Sequence, residues 1–266
     1  MKLYISADIE GVAGVTHWDE TNEAKPDYAP FREQMTREVA AACEGAIAAG
    51  VEEILVNDAH GDGRNLLADR LPPQASLLRG WTGHPMFMVE ELDASFAAAA
   101  FVGYHTPLPE GSPLAHTMAL SLASATLNGR PASEFLLHAY AADTVGVPVV
   151  FVSGDESLCR HVREVNDSIQ TVAVKRAVGG AMVCMHPARA AEAIRTGLAE
   201  ALQQDLSACR LPRPEAFEVE LQFTKHAQAY RARFYPGAAP AGPNGIVYRS
   251  DSFLDVQRLI LFVGGE

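Results

Sequence analysis

The sequence predicts an α/β fold, with a mostly parallel sheet carrying helices on both faces, plus a smaller C-terminal α+β subdomain. Three observations lead there. Near the N-terminus, short apolar runs flank a longer stretch of helical period. A glycine stops that stretch just before the next apolar run. The last quarter of the chain changes character after a polar, proline-rich segment.

Leu3 to Ala7 is a short apolar run and reads as the first strand. Phe31 to Ala49 then places Phe31, Met35, Val39, Cys43, Ala46 and Ile47 at three- and four-residue spacings, which makes an amphipathic helix. Gly50 occupies the position that a left-handed C-cap favours, and Ile54, Leu55 and Val56 follow as a buried strand. Strand, helix, strand is the parallel βαβ unit. A third run, Phe96 to Val102, ends in Gly103-Tyr104-His105, and a fourth, Pro148 to Val152, precedes the turn Ser153-Gly154-Asp155. Between them Thr117 to Leu127 is rich in small residues, Asn128-Gly129-Arg130-Pro131 is a turn signal, and Ser133 to Tyr140 reads as helix. Pro187 opens another helix, with Ala191, Ile194, Leu198 and Leu202 on one face. The segment Leu211 to Pro214 marks a boundary between an α/β domain at 1–210, which carries the metal-binding candidates, and a small subdomain at 211–266. In that subdomain Phe217 to Phe223 alternates as a strand. Prolines keep Pro236 to Pro243 out of helix and central strand, and Asp251 and Ser252 can cap a closing helix through Phe262.

With 48% hydrophobic and 20% charged residues, the composition is ordinary for a globular protein and argues against long disorder. Twenty-one basic against 33 acidic residues give a net charge of -12, which suits no polyanion, so a nucleic-acid partner is not expected. Bound cations would neutralise part of that charge. The N-terminal apolar run is too short for a signal segment, and no stretch offers enough successive apolar residues for a membrane span. Cys43, Cys159, Cys184 and Cys209 are scattered without a Cys-x-x-Cys pair, as expected for reduced thiols in a cytoplasmic protein.

Three of the apolar runs end in residues that bind metals: Asp8 and Glu10, then Asp58 and His60, then His105. In an open parallel sheet, sites lie beyond the carboxyl ends of the strands, so the fold itself gathers these residues. Asp8 and Glu10 are two apart, which in extended backbone aims both carboxylates to one side, where they repel unless a cation lies between them. Each candidate also has an ordinary structural reading. Asp8 and Glu10 can flank a turn bent at Gly11 and Gly14, His60 can be a solvated residue of the polar Asn57 to Gly63 loop, and His105 can be a satisfied strand-end histidine. Imidazole nitrogen with carboxylate oxygen is the ligand mixture of zinc, and the lack of paired cysteines argues against a thiolate structural site. That contrast points to a catalytic site that keeps a coordination position for water. Asp58 and Asp62 are candidates for orienting His60, solvation of the loop being the other reading.

The strings Ser6-Ala7-Asp8-Ile9-Glu10-Gly11, Val56-Asn57-Asp58-Ala59-His60, Gly103-Tyr104-His105, His116-Thr117-Met118 and Asn128-Gly129-Arg130-Pro131 through Glu134 resemble those of the zinc-dependent D-aminopeptidase family, the DppA-type dipeptide enzymes. Order and spacing agree over about the first 190 residues and more loosely to the end. The resemblance implies two zinc ions, with Asp8 bridging them, Glu10 and His60 completing one site, and His105 and Glu134 the other. It makes His116 the catalytic histidine. From the residues alone, Glu134 also reads as an acidic group at the positive end of a helix dipole, and His116 as a loop histidine able to exchange protons near neutral pH.

The implied activity is zinc-dependent release of the N-terminal residue of short peptides, D-amino-acid-containing ones above all. The implied assembly is a homo-oligomer built of rings, a decamer of stacked pentamers being one arrangement. Rival readings are a dinuclear metal amidase or phosphatase and a non-catalytic metal- or small-molecule-binding module on the same scaffold. The loops near Asp8 and His60 are poor in bases, with only Arg64 close by, which disfavours a phosphatase. A binding module would have no use for His116 as a proton carrier. Neither a Walker loop nor a strand-following G-x-G-x-x-G is present to cradle a nucleotide. His17, His84, His138, His161, His186 and His226 have no comparable setting.

Overall fold

The computed structural model describes residues 1–264. Strand β1 (Lys2–Ala7), helix α1 (Tyr28–Ala48) and strand β2 (Glu53–Asp58) form the expected βαβ unit, with Ala7 paired to Asp58 at its carboxyl end. Helix α1 starts three residues before Phe31, because Pro30 is tolerated in a first turn whose N–H groups lack intrahelical partners. β3 (Ala75–Leu78) extends the sheet beyond β2, and β4 (Ala98–Tyr104) then crosses to the opposite side of β1. β5 (Leu122–Leu127) and β6 (Arg130–Pro131) depart for a second sheet, and helix α2 (Glu134–Thr144) leads back to β7 (Val149–Asp155). Helix α3 (Glu156–Val165), β8 (Gln170–Val178), the antiparallel β9 (Ala181–Cys184) and helix α4 (Pro187–Ala201) complete the first layer system.

The first sheet runs β3-β2-β1-β4-β7-β8-β9, parallel except for its last pair. Its direction of growth reverses between β1 and β4, so the topological switch point lies at the carboxyl ends of those two strands. Side-chain parity assigns the covering helices. Gly197 of α4 lies against Phe151 and Val172, whereas Phe101, which pairs with Val152 rather than Phe151, points to the other face and meets Phe135 of α2. His161 of α3 packs edge-on against that same Phe135. Helices α1 and α4 therefore cover one face, and α2 and α3 the other. β1, β4 and β7 are buried almost throughout, as strands covered on both sides must be.

The second sheet adds β10 (Phe217–Phe223), β11 (Ala239–Pro240) and β12 (Gly245–Ser250), in the order β11-β12-β10-β5-β6, and helices α5 (His226–Ala232) and α6 (Phe253–Val263) accompany it. It is antiparallel, with Pro240 on its edge, where a missing N–H does no harm. The sheet crosses the sequence boundary near 211, since Leu127 pairs with Val219. The four cysteines are free thiols, and no described helix is long and apolar enough to cross a membrane.

Candidate metal centre

Asp8 follows β1 directly, His60 follows β2 by two residues, and His105 follows β4 directly, so the switch point carries all three. Two glycines let the loops after β1 and β4 meet backbone to backbone. A Cβ on Gly11 would stand 1.7 Å from the Tyr104 carbonyl oxygen, and one on Gly103, whose φ is +75°, would stand 2.2 Å from the Asp8 carbonyl oxygen. Gly11 donates its N–H to the Gly103 carbonyl at 2.7 Å, which locks the two loops together. Glu134 arrives from a different direction. It is the first residue of α2, capped by the Ser133 hydroxyl, which accepts from the Leu136 N–H at 3.0 Å. The β5–β6 hairpin delivers that helix start, and His116 lies in the segment leading into β5.

The side chains converge. His60 Nδ1 lies 3.0 Å from Glu10 Oε2 and 3.3 Å from Asp8 Oδ1, while His105 Nε2 lies 3.5 Å from Asp8 Oδ2 and 3.2 Å from Glu134 Oε2. His116 stacks flat on His105 with ring centroids 4.2 Å apart, its Nε2 being 3.6 Å from Glu134 Oε1. Asp8, Glu10 and His105 bring ligand atoms within 4.8 Å of one another, and so do His105, His116 and Glu134. The structure thus gathers all six sequence candidates, and it sets His116 close enough to be a ligand as well as a proton carrier.

The donor set fits a metal. Each imidazole turns one ring nitrogen to a backbone carbonyl: His60 Nε2 to Thr21 at 2.9 Å, His105 Nδ1 to Thr106 at 3.0 Å and His116 Nδ1 to Leu114 at 3.1 Å. A neutral ring that donates there leaves its other nitrogen as a lone pair facing the carboxylates, a repulsive arrangement unless a cation stands between. Asp8 Oδ2 and Glu10 Oε2 are buried with no hydrogen-bond donor, as acceptors waiting for a cation would be.

The carboxylates draw positive charge to this point strongly enough that, with no cation between them, they hold protons on the rings instead. Burial opposes charge on His105, but Glu134 and Asp8 outweigh it and lift the ring to about 10. Burial likewise opposes charge on His60, yet Glu10 and Asp8 raise it well above the usual histidine range. Glu134, despite its burial, is held at about 2 by His105 and His116. Burial and the neighbouring Glu10 charge push Asp8 up. His116 goes the other way, lowered by burial and by His105, and so stays neutral at working pH.

The two candidates for orienting His60 part ways, and two further supports, Lys175 and His138, had no sequence signal. Asp58 does not touch His60. Its carboxylate accepts from Asn65 Nδ2 at 2.8 Å and the Leu66 N–H at 2.7 Å, and Asn65 in turn donates to the His60 carbonyl at 2.7 Å. Asp62 is exposed and paired with Arg64, away from the ring. Lys175, buried on β8, donates to the carbonyls of Glu10 and Val15, the latter at 2.7 Å, and so holds the Glu10 loop from beneath. His138, one turn into α2, bonds the Glu134 carbonyl at 2.7 Å. Above the centre opens a cleft of about 550 Å³, walled by Trp18, Asn22, Glu23, Trp81, Met118 and Leu120.

Comparison with known proteins gives a consistent picture. The Peptidase_M55 family model, described as D-aminopeptidase, matches residues 1–262. A D-aminopeptidase of Bacillus subtilis (strain 168) is 32% identical over 263 residues, covering 98% of this chain and 96% of that protein. The solved structure of the Zn-dependent D-aminopeptidase DppA from Bacillus subtilis, described as a self-compartmentalizing protease, superposes with a TM-score of 0.92 at 30% identity, covering 99% of this chain and 97% of that one.

Proposed function

Because the chain belongs to the D-aminopeptidase family, we propose that it is a zinc-dependent aminopeptidase releasing the N-terminal, D-configured residue of short peptides. Two zinc ions would be held by Asp8, Glu10, His60, His105 and Glu134, with Asp8 shared between them. The observation that carries this reading is the inward-facing lone pairs of the histidines against three buried carboxylates, two oxygens of which lack any donor. Zinc supplies Lewis acidity there, polarising an amide carbonyl and acidifying water.

The chain's own residues do the rest. His116 is neutral, its Nδ1–H is fixed on the Leu114 carbonyl and its ring is braced edge-on by Trp18, so its Nε2 is free to take a proton and return it to the departing amine. Glu23 and Asp62 border the cleft but are paired with Arg64, so a free ammonium group would have to compete with that guanidinium for them. No Lys or Arg is among the described residues lining the cleft, which weighs against a phosphoester substrate.

Self-association is part of the proposal. Tyr230 on α5, Phe234 just past its end and Phe262 on α6 are exposed at 55%, 72% and 71%, apolar surface that a second copy would cover. Light scattering at micromolar concentration tests this, and a mass near 28.5 kDa would overturn it. For the activity, the test is metal analysis followed by assay on D- and L-alanyl peptides, amino-acid amides and a phosphoester. Close to two zinc ions per chain and turnover of D-alanyl peptides are expected. Full metal and activity in both His60→Ala and His105→Ala would place the centre elsewhere.

A further inference from the structure

Beside the cleft lies a second cavity of about 300 Å³, formed where the β4-proximal turn meets helix α6. Trp81 and Met118 belong to the walls of both, so the two spaces adjoin. The cleft is polar at its His60 end, but the annex is lined by Phe87, Met118, Ala119, Ile260 and Leu261. A volume of this size falls at the lower end of small-molecule sites, far above what a methyl group fills.

Two features indicate that the annex is built for a purpose. Phe87 and Met118, both lining it, adopt left-handed backbone, with φ of 47° and 61°, a conformation rare outside glycine. Such outliers persist where the surrounding structure holds them, and they cluster at ligand-binding positions. The annex walls are also tied to the elements that carry the centre. The Met118 N–H donates to Glu134 Oε1 at 2.7 Å. The Ser6 hydroxyl donates to the Met88 carbonyl at 2.6 Å and the Tyr4 hydroxyl to the Glu90 carbonyl at 2.6 Å, fixing the 87–90 turn to β1. Met88 faces the cleft and Phe87 the annex, so one turn separates the two spaces.

We infer that this annex is a specificity subsite, taking the bulky aliphatic or aromatic side chain of a residue flanking the scissile amide. The inference rests on the peptidase reading of the centre. Among the described residues its one buried acidic lining group is Glu90, whose carboxylate would repel the carboxyl end of a peptide but leaves an apolar side chain undisturbed. The peptide backbone therefore stays in the cleft and a side chain enters the annex.

The test compares zinc-loaded wild type with Ala119→Phe and Leu261→Trp, which add bulk to the annex from two different segments of the chain, neither residue being one of the six that converge at the centre. Substrates are D-Ala-Gly, D-Phe-Gly and D-Ala-D-Phe, the last two distinguishing the N-terminal residue from its neighbour as the occupant. Wild type should favour one bulky peptide over D-Ala-Gly by roughly tenfold or more in kcat/KM, the scale on which apolar pockets discriminate. The filled variants should lose that preference while cleaving D-Ala-Gly within about threefold of wild type. Calorimetric binding of the corresponding reduced-amide analogues should give the same ranking without turnover. If the wild type binds bulky and small analogues alike, or the ratio survives in both filled variants, the annex is not a subsite. Absence of turnover on every peptide, with the binding preference intact, would instead overturn the hydrolase reading alone.

Discussion

In the proposed centre, the half around His60 and the half around His105 use the same kinds of side chain but are held by different means. His60 stands on a loop, its side chain 15% exposed, and its position depends on a relay of hydrogen bonds from Thr21, Asn65 and Asp58. His105 is 2% exposed, stacked on His116 and closed in by Glu134 at the start of α2. A hydrogen-bonded loop can loosen locally, whereas a packed ring between a strand end and a helix start moves only with the fold. The His105 half should therefore keep its metal longer, and the His60 half should be where the metal leaves first.

Asp8 is the one carboxylate that reaches both histidines, and its loss should erase the distinction. Asp8→Asn is expected to empty both halves and reduce kcat/KM by roughly 10⁴-fold or more, on the order of 5 kcal/mol of transition-state stabilisation. Metal analysis beside kinetics checks this, and retention of one full zinc would mean that Asp8 serves only one half. His116→Ala comes next. It should cost ~10³-fold in kcat with metal content and melting temperature unchanged, as removal of a proton carrier does. Its position beside Glu134 gives the measurement an edge, because loss of one zinc in this variant would make His116 a ligand of the His105 half instead.

The two halves also differed in how far they could be read beforehand. Asp8, Glu10, His60 and His105 were legible because each sits in a polar or glycine-bearing turn directly after a buried apolar strand, and the switch-point rule gathers such turns wherever the strands lie. Glu134 and His116 could not be placed that way. They are delivered by the β5–β6 hairpin, whose β5 pairs with β10 far along the chain, so a non-local pairing decides where they point, and family resemblance had to supply them. Lys175 was hidden for a third reason. In Val174-Lys175-Arg176 it reads as one exposed base beside another, and only the carbonyls of Glu10 and Val15 above it explain a buried ammonium.

Lys175 offers a way to sharpen the contrast between the halves. It holds the backbone that carries Glu10, a carboxylate of the His60 half, and it makes no contact with Glu134 or His105. Lys175→Met keeps the length of the side chain and removes both hydrogen bonds. Zinc affinity of the weaker site should fall by ~10–100-fold, the usual cost of losing a group that orients a ligand, with the tighter site unaltered. Competition with a chromophoric chelator resolves the two sites, and equal weakening of both would show that the β1 and β4 loops respond as one unit.

The smallest effect on the centre itself is expected at Glu38, which steadies the same loop from α1. Its Oε1 accepts from the Ala13 N–H at 3.0 Å and from Gln34 Nε2 at 2.9 Å, while Oε2 is buried without a donor. Burial pushes this carboxyl up to about 7, against an ordinary 4.5, so the folded protein binds a proton that the unfolded chain has already released. The sign follows directly: the stability contributed by that proton is fully present below about pH 4.5 and is lost as pH rises through about 7. Glu38→Gln keeps the Oε1 acceptor and has nothing to titrate. Wild type should therefore lose stability relative to the variant by on the order of 2 kcal/mol between pH 5 and pH 7, with zinc affinity changed little. Zinc binding weakens in acid through the histidines of both proteins alike, so the difference between the two unfolding curves at each pH isolates Glu38. A difference that stays flat across that interval would mean that Glu38 is ionised throughout, and that Lys175 and Glu38 brace the Glu10 loop as an ion pair.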